Sequence, residues 1–118
     1  MTERAVLLVD ADPAVRDSLT TLVDLNGFSV HSFSTGAAFL RELRDSSIHC
    51  VICEADLPDT TGILIYQHLQ TLNMNLPFAL LVSGLNPAVI RSAHSAGISE
   101  IFQKPLVHRR LLNFISTC

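Results

Sequence analysis

The feature that most constrains this chain is a regular alternation of short apolar runs with segments whose apolar residues recur at helical spacing. The apolar runs occupy residues 5–9, 28–33, 49–53, 77–82 and 99–102. The first run is continuous, which is typical of a strand buried on both faces of a parallel sheet, whereas the second alternates apolar and polar residues like an edge strand. Five strands alternating with helices predict a doubly wound α/β sheet with helices on both faces and the flavodoxin-like strand order 2-1-3-4-5.

Local signals mark where the helices begin. Asp12-Pro13 and Asn86-Pro87 each combine a good N-cap residue with a proline suited to the first helical position, and Thr35 is a third candidate cap. Five strands are too few for an eight-stranded barrel. The length of 118 residues fits one domain, so we assign residues 1–118 to a single domain.

The composition excludes several classes of protein. Hydrophobic residues make up 48% of the chain and charged residues 16%, which supplies a core and excludes a disordered chain. The net charge of −3 argues against a general binder of nucleic acid or membrane surfaces. We find no apolar run long enough to span a bilayer, and the number of cysteines is odd. We therefore expect no signal peptide and a cytoplasmic protein with reduced thiols.

Charged and polar residues follow the carboxyl ends of the predicted strands, where doubly wound sheets place their sites. Asp10 and Asp12 follow the first strand, Glu54 the third, Ser83 the fourth and Lys104 the fifth. Taken singly, each has a structural explanation: a helix cap, a turn residue or a solvated lysine. Together they converge on one rim of the sheet, which indicates a functional site.

Two common nucleotide sites are excluded at this rim. The chain contains neither G-x-G-x-x-G nor G-x-x-x-x-G-K-[ST]. The carboxylates of residues 10–13 would repel the phosphate of a flavin or dinucleotide. An acidic loop of this kind is better suited to a hard divalent cation such as Mg²⁺.

The cysteines and histidines give no metal or redox motif at the level of spacing. Cys50 and Cys53 form a C-x-x-C, but residues three apart on a strand point to opposite faces, so we predict that both pack in the core. The histidines show no paired ligand spacing, and we expect no metal role for them; they are His31, His49, His68, His94 and His108.

Four segments together resemble the receiver domain of bacterial two-component response regulators, over essentially the whole chain. They are residues 7–10, the loop 57–62, residues 81–84 and the pair Lys104-Pro105. Further details are most similar to the receivers that precede helix-turn-helix output domains, namely Arg16, Asn26-Gly27 and Gly36.

The resemblance implies a phosphoryl-accepting pocket. In the family, an aspartate at the end of the third strand accepts a phosphoryl group from a histidine kinase, and two acidic residues after the first strand hold Mg²⁺. A hydroxyl and a lysine then contact the phosphate. These last two roles fall on Ser83 and Lys104, and the chemistry is mainly positioning and charge neutralisation.

This chain departs from the family pattern at its decisive positions. The acceptor position is Glu54, the second acidic position is Ala11, and the aromatic switch position is Ile101. Asp12 comes one residue late and is expected to cap a helix. We therefore expect Mg²⁺ binding to be weak or lost, with Asp10 and the backbone of Asp56 as the only remaining ligands. We also expect Glu54 to form an ion pair with Lys104.

The leading hypothesis is an atypical receiver, not an enzyme, that acts as a signalling and interaction module without phosphorylation. One alternative is a phosphorylatable receiver that uses Asp56 and binds Mg²⁺ weakly. A small α/β enzyme or cofactor carrier is a further alternative, although no nucleophile–base pair is visible.

The resemblance also implies an output surface on the fourth helix, fifth strand and fifth helix. We expect a homodimer or a partner protein to bind there, rather than a histidine kinase or a membrane. Nucleic acid would be contacted only through a separate output domain. The residues predicted for this surface are Arg91, Glu100, Ile101, His108, Arg109 and Arg110.

Overall fold

Strands and helices alternate along the chain as the apolar pattern predicts. The computed structural model describes residues 4–43, 47–84 and 86–118. The strands are β1 (Ala5–Val9), β2 (Ser29–Phe33), β3 (Ile48–Glu54), β4 (Phe78–Ser83) and β5 (Glu100–Lys104). The helices are α1 (Pro13–Leu25), α2 (Gly36–Glu42), α3 (Gly62–Thr71), α4 (Pro87–Ala96) and α5 (His108–Thr117).

The five strands form one parallel sheet in the order β2-β1-β3-β4-β5, which confirms the predicted topology. All five residues of β1 are buried, whereas β2 at the sheet edge is only half-buried or exposed. The burial follows from position, because a central strand is covered by helices on both faces. Among the described residues, no helix is long and apolar enough to cross a membrane.

The helices divide between the two faces of the sheet and create two apolar cores. One core packs α2, α3 and α4 against the sheet through side chains such as Phe39, Ile65 and Ala93. The other packs α1 and α5 through side chains such as Leu19 and Leu111. The sheet therefore separates two independently packed layers.

Cys50 and Cys53 lie in different cores, as the two-residue period of a strand predicts. Both thiols are fully buried and free. Burial raises the pKa of each thiol far above its ordinary value. Because the two thiols face opposite cores, they do not form a redox motif with each other.

Side-chain caps start the helices where the sequence predicts them. The carboxylate of Asp12 accepts a hydrogen bond from the backbone N–H of Ala14 at the start of α1, and Asn86 caps α4 in the same way. Thr35 caps α2 through the N–H of Ala38. These bonds satisfy backbone donors that have no partner within the helix.

Gly62 allows α3 to begin in contact with the end of β3. A Cβ at this position would lie 2.7 Å from the backbone oxygen of Glu54 and 2.5 Å from Cδ1 of Leu80. Because a backbone atom cannot move aside cheaply, we expect Gly62→Ala to lower the free energy of unfolding by about 1–3 kcal/mol.

Urea unfolding followed by circular dichroism would measure this cost. Gly36→Ala is the comparison variant, because a Cβ there lies 2.4 Å from Cγ2 of Thr60, a side-chain atom, and meets no backbone atom within 4 Å among its three nearest neighbours. We expect Gly36→Ala to cost less. Equal stabilities for Gly62→Ala and the unmodified chain would contradict the close approach of α3 to β3.

Candidate functional site

Three of the predicted rim residues meet at the carboxyl end of the sheet. Asp10 follows β1, Glu54 ends β3 and Lys104 ends β5. The Lys104 Nζ lies 2.9 Å from Oδ2 of Asp10 and 3.5 Å from Oε1 of Glu54. The side chain of Asp10 is fully buried, and those of Lys104 and Glu54 are 19% and 14% exposed. The rim thus holds one ammonium group between two carboxylates.

The second oxygen of each carboxylate is bound to the backbone of the loop that joins β1 to α1. Oε2 of Glu54 accepts the N–H of Ala11 at 3.0 Å. Oδ1 of Asp10 accepts the N–H of Asp12, also at 3.0 Å. All four carboxylate oxygens of this pair therefore have a donor, and the loop is tied to the ends of both β1 and β3.

Asp10 is the principal partner of Lys104, because its carboxylate lies closer to the ammonium group than that of Glu54 does. Burial by itself lowers the pKa of Lys104, but the hydrogen bond and charge of Asp10, together with Glu54, outweigh it and leave that pKa raised. Burial raises the pKa of Glu54, and the neighbouring Asp10 adds to the rise, while the N–H of Ala11 and the charge of Lys104 oppose it. Lys104 is therefore held in its charged form mainly by Asp10.

The residues at this rim do not fit a Mg²⁺ ion. Ala11 offers no side-chain ligand, and the carboxylate of Asp12 caps α1 at 2.9 Å from the N–H of Ala14. The ammonium group of Lys104 lies within hydrogen-bond distance of Oδ2 of Asp10, where a cation would have to bind. Mg²⁺ requires nearly ideal octahedral coordination by oxygen, which this donor set does not supply.

The side chains of Ser83, Asp56 and Asp12 lie outside this contact network. Ser83 is exposed at the end of β4 and pairs in register with Lys104. Asp56 is exposed in the loop after β3, where it forms an isolated bridge with Thr61. Of the five side chains predicted for the rim, the structure brings Asp10, Glu54 and Lys104 into contact, whereas those of Asp12 and Ser83 do not join them.

The comparisons with known proteins agree with this architecture. The sequence model of the family described as the response regulator receiver domain matches residues 6–116 of this chain. The chain belongs to this family. It is similar to the response regulator protein TodT of Pseudomonas putida, with 29% identity over 117 residues that cover 98% of this chain and 52% of TodT. It is also similar to the transcriptional regulatory protein FixJ of Bradyrhizobium diazoefficiens, with 28% identity over 98% of this chain and 57% of FixJ.

Solved structures show the same fold. Full-length FixJ from B. japonicum superimposes with a TM-score of 0.88 and 27% identity, covering 99% of this chain and 58% of FixJ. A response regulator receiver protein from Pseudoalteromonas atlantica has a TM-score of 0.88 at 22% identity, covering 96% of this chain and 94% of that protein. The receiver domain described here spans about half the length of the curated relatives it matches.

Two side chains that support the site of this receiver domain were not predicted from the residue pattern. Nη1 of Arg16 donates to the backbone oxygens of Asp10 at 2.7 Å and Ala11 at 3.0 Å. The carboxylate of Asp59 accepts the N–H groups of Gly36 and Ala37 at 3.0 and 2.8 Å. Arg16 holds the β1–α1 loop, and Asp59 fastens the loop after β3 to the start of α2. No local motif predicts the contact of Asp59, because Gly36 and Ala37 precede it by 23 and 22 residues in the sequence.

The hydrogen bonds to Asp59 predict a dependence of stability on pH. The N–H groups of Ala37 and then Gly36 lower the pKa of Asp59 below its ordinary value of 3.8. Because the folded-state pKa is lowered, the stabilisation is present above the unfolded-state pKa and is lost as the pH falls through the folded-state value. We expect Asp59→Asn to melt at a lower temperature than the unmodified chain at neutral pH, and the difference to vanish in acid.

Thermal melting across a pH series would measure this effect. Asp56→Asn, which removes a nearby exposed carboxylate, is the control and should show no comparable change with pH. A difference between Asp59→Asn and the unmodified chain that stays constant from neutral to strongly acidic pH would contradict the charged contact.

The residues predicted for the output surface differ in how far they are exposed. Ile101 packs with the core beneath α3 and α4, whereas Phe102 contacts Phe114 in the other core at a ring-centroid distance of 6.1 Å. Arg91 is exposed on α4, and Arg109 and Arg110 are exposed on the first turn of α5. Glu100 is exposed on β5.

His108, unlike the other residues predicted for the output surface, lies beside α1. It lines surface cavities together with Ser18 and other residues of α1, which lies on the opposite face of the sheet from α4. The resemblance grouped His108 with the output surface because His108 belongs to the fifth helix. One residue along a helix rotates a side chain by about 100°, which is enough to change its neighbour.

Proposed function

We propose that this receiver domain works as a signalling and interaction module without phosphorylation at its rim, and that it is not an enzyme. The observation that carries the proposal is the position of the Lys104 ammonium group between Asp10 and Glu54. The positive charge that would assist a bound phosphoryl group is already neutralised by carboxylates of the chain itself.

The chemistry of the acceptor supports the same proposal. A carboxylate accepts a phosphoryl group through an oxygen aligned with the donor, and both oxygens of Glu54 are engaged by donors of the chain. Glutamate also places its carboxylate about one C–C bond, ~1.5 Å, farther from the backbone than aspartate does. A misplacement of about 1 Å can cost a hundredfold in rate.

Incubation with Mg²⁺ and acetyl phosphate, followed by intact-mass measurement, tests the proposal. We expect no phosphorylated species. A phosphoryl group mapped to Glu54, and abolished by Glu54→Gln, would overturn the proposal. A phosphoryl group abolished by Asp56→Asn instead would favour the alternative acceptor, although the exposed position of Asp56 beyond β3 supports that alternative poorly.

The curated relatives support a role in gene regulation. FixJ is named as a transcriptional regulatory protein and TodT as a response regulator protein, and this chain spans about half of each. We propose that the receiver domain controls a separate DNA-binding output domain and acts in the cytoplasm, where such a domain meets DNA. The receiver domain itself has a net charge of −3, which does not favour a direct contact with nucleic acid.

We further propose that α4, β5 and α5 form the surface that binds a second copy or a partner protein. Arg91, Arg109 and Arg110 supply positive charge there, and Glu100 supplies a negative group that suits a self-complementary contact. We expect Arg109→Glu combined with Arg110→Glu to weaken self-association about tenfold or more.

Analytical ultracentrifugation over a concentration series would measure this change in self-association. Arg41→Glu, an exposed charge reversal on α2, is the matched control and should leave association unchanged. If the unmodified chain stays monomeric at high concentration, the contact is not between two copies. If the α5 variant and the Arg41 variant associate alike, the dimer uses another surface.

A further inference from the structure

A second cluster of reactive side chains lies at the opposite end of the sheet from the Asp10–Lys104 rim. His49 and Cys50 stand near the start of β3, and Cys118 follows the last residue of α5. One ligand atom from each of these residues lies within 4.8 Å of the other two. Since Cys50 and Glu54 are four residues apart on an extended strand, roughly 13 Å separates this cluster from the rim.

The spacing of the three atoms is close to that of a tetrahedral zinc site. Zn–S bonds of about 2.3 Å and Zn–N bonds of about 2.0–2.1 Å place neighbouring ligand atoms roughly 3.5–3.8 Å apart. Since these atoms of His49, Cys50 and Cys118 lie within 4.8 Å of one another, they would have to approach by at most about 1.3 Å. Cys118 caps the end of α5 and is only partly buried. Its thiol donates to the backbone oxygen of Phe114 at 2.9 Å, a bond that metal binding would replace.

The surroundings of His49 also fit a ligand. Its Nε2 lies 2.6 Å from the backbone oxygen of Ile115. Because a carbonyl oxygen only accepts, Nε2 carries the proton and Nδ1 keeps the lone pair. Metal-binding histidines commonly donate their other ring N–H to a carbonyl in this way, which fixes the tautomer and the ring orientation.

The charges of the donor set select the class of ion. Two thiolates and a neutral imidazole are soft or borderline ligands, which disfavours Mg²⁺ and Ca²⁺. With a divalent ion the site is neutral, whereas monovalent copper would leave one uncompensated negative charge beside the fully buried Cys50. Cys118 also lines a surface cavity of about 410 Å³, and Glu100 is another of its lining residues. The cavity gives an ion access to the Cys118 side of the cluster.

We propose that His49, Cys50 and Cys118 form a binding site for Zn²⁺ that fastens the end of α5 to the start of β3. No sequence spacing reveals this site, since Cys118 is brought to His49 only when α5 packs on the sheet. The proposal is independent of the chemistry at the Asp10–Lys104 rim.

Titration of the chain with Co²⁺, kept reduced by a phosphine, tests the site directly. We expect saturation at one equivalent, with the visible bands of tetrahedral Co²⁺ and a near-ultraviolet thiolate-to-cobalt band, and displacement of the cobalt by Zn²⁺. Cys118→Ala should weaken binding about 100-fold or more and abolish the thiolate band, because one of three protein ligands is lost.

The matched control is Cys53→Ala, which removes an equally buried thiol from the same strand but on the opposite face. It should retain the full cobalt spectrum. Circular dichroism of both variants verifies that each is folded, and the partly buried position of Cys118 makes its variant the safer of the two. Absence of a saturable cobalt spectrum in the unmodified chain, or an unchanged spectrum in Cys118→Ala, would overturn the proposal.

Discussion

Replacement of Lys104 by methionine should lower the free energy of unfolding by about 3 kcal/mol. The carboxylate of Asp10 is fully buried and lies 2.9 Å from the Lys104 Nζ, so loss of the ammonium group leaves a buried negative charge without its main partner. Removal of one member of a buried ion pair typically costs 3–5 kcal/mol, and the partial exposure of Lys104 places the expected value at the lower end. Urea unfolding at neutral pH, followed by circular dichroism, measures the change.

The double variant Asp10→Asn with Lys104→Met is the matched control for this destabilisation. It removes both charges together, so no uncompensated carboxylate remains, and we expect it to recover most of the lost stability. Glu54→Gln should cost less than Lys104→Met, because Glu54 is farther from the ammonium group and keeps an acceptor for the N–H of Ala11. A Lys104→Met variant as stable as the unmodified chain would mean that the ammonium group does not hold Asp10.

Restoration of the family residues at two positions should create a phosphoryl acceptor. In the double variant Ala11→Asp with Glu54→Asp, the second acidic residue supplies a Mg²⁺ ligand and the shorter acceptor withdraws its carboxylate by about 1.5 Å. We expect the rate of phosphorylation by acetyl phosphate in the presence of Mg²⁺ to rise about a hundredfold or more over that of the unmodified chain. Intact-mass measurement over time gives the phosphorylation rate, and a magnesium titration gives the change in Mg²⁺ affinity.

The single variants separate the two causes. Ala11→Asp alone should improve Mg²⁺ binding without creating an efficient acceptor, and Glu54→Asp alone should shorten the acceptor without providing the second ligand. A further Lys104→Met change should abolish the gain. If the folded double variant neither binds Mg²⁺ nor accepts a phosphoryl group, then Ala11 and Glu54 are not what prevents phosphorylation at this rim.

Much of the architecture could be predicted from the sequence because it depends on local physical rules. A continuous apolar run such as Ala5–Val9 is typical of a central strand that is buried on both faces. Asp12-Pro13 supplies an N-cap and a first helical residue, so the start of α1 depends only on neighbouring residues. The period of a strand likewise separates Cys50 from Cys53. Parallel strands align their carboxyl ends, so the place of the rim followed from the order of the elements.

The sequence by itself therefore determined the topology, the two layers of helices and the rim at which charged residues gather. Only the tertiary structure decided which of them touch: Lys104 lies nearer to Asp10 than to Glu54, and Glu54 binds the backbone of Ala11. The same holds for the contact of Asp59 with α2 and for the approach of Cys118 to His49. The physical reason is range: strand period and helix caps act over a few residues, whereas these contacts depend on distances of a few ångströms between segments far apart in the chain.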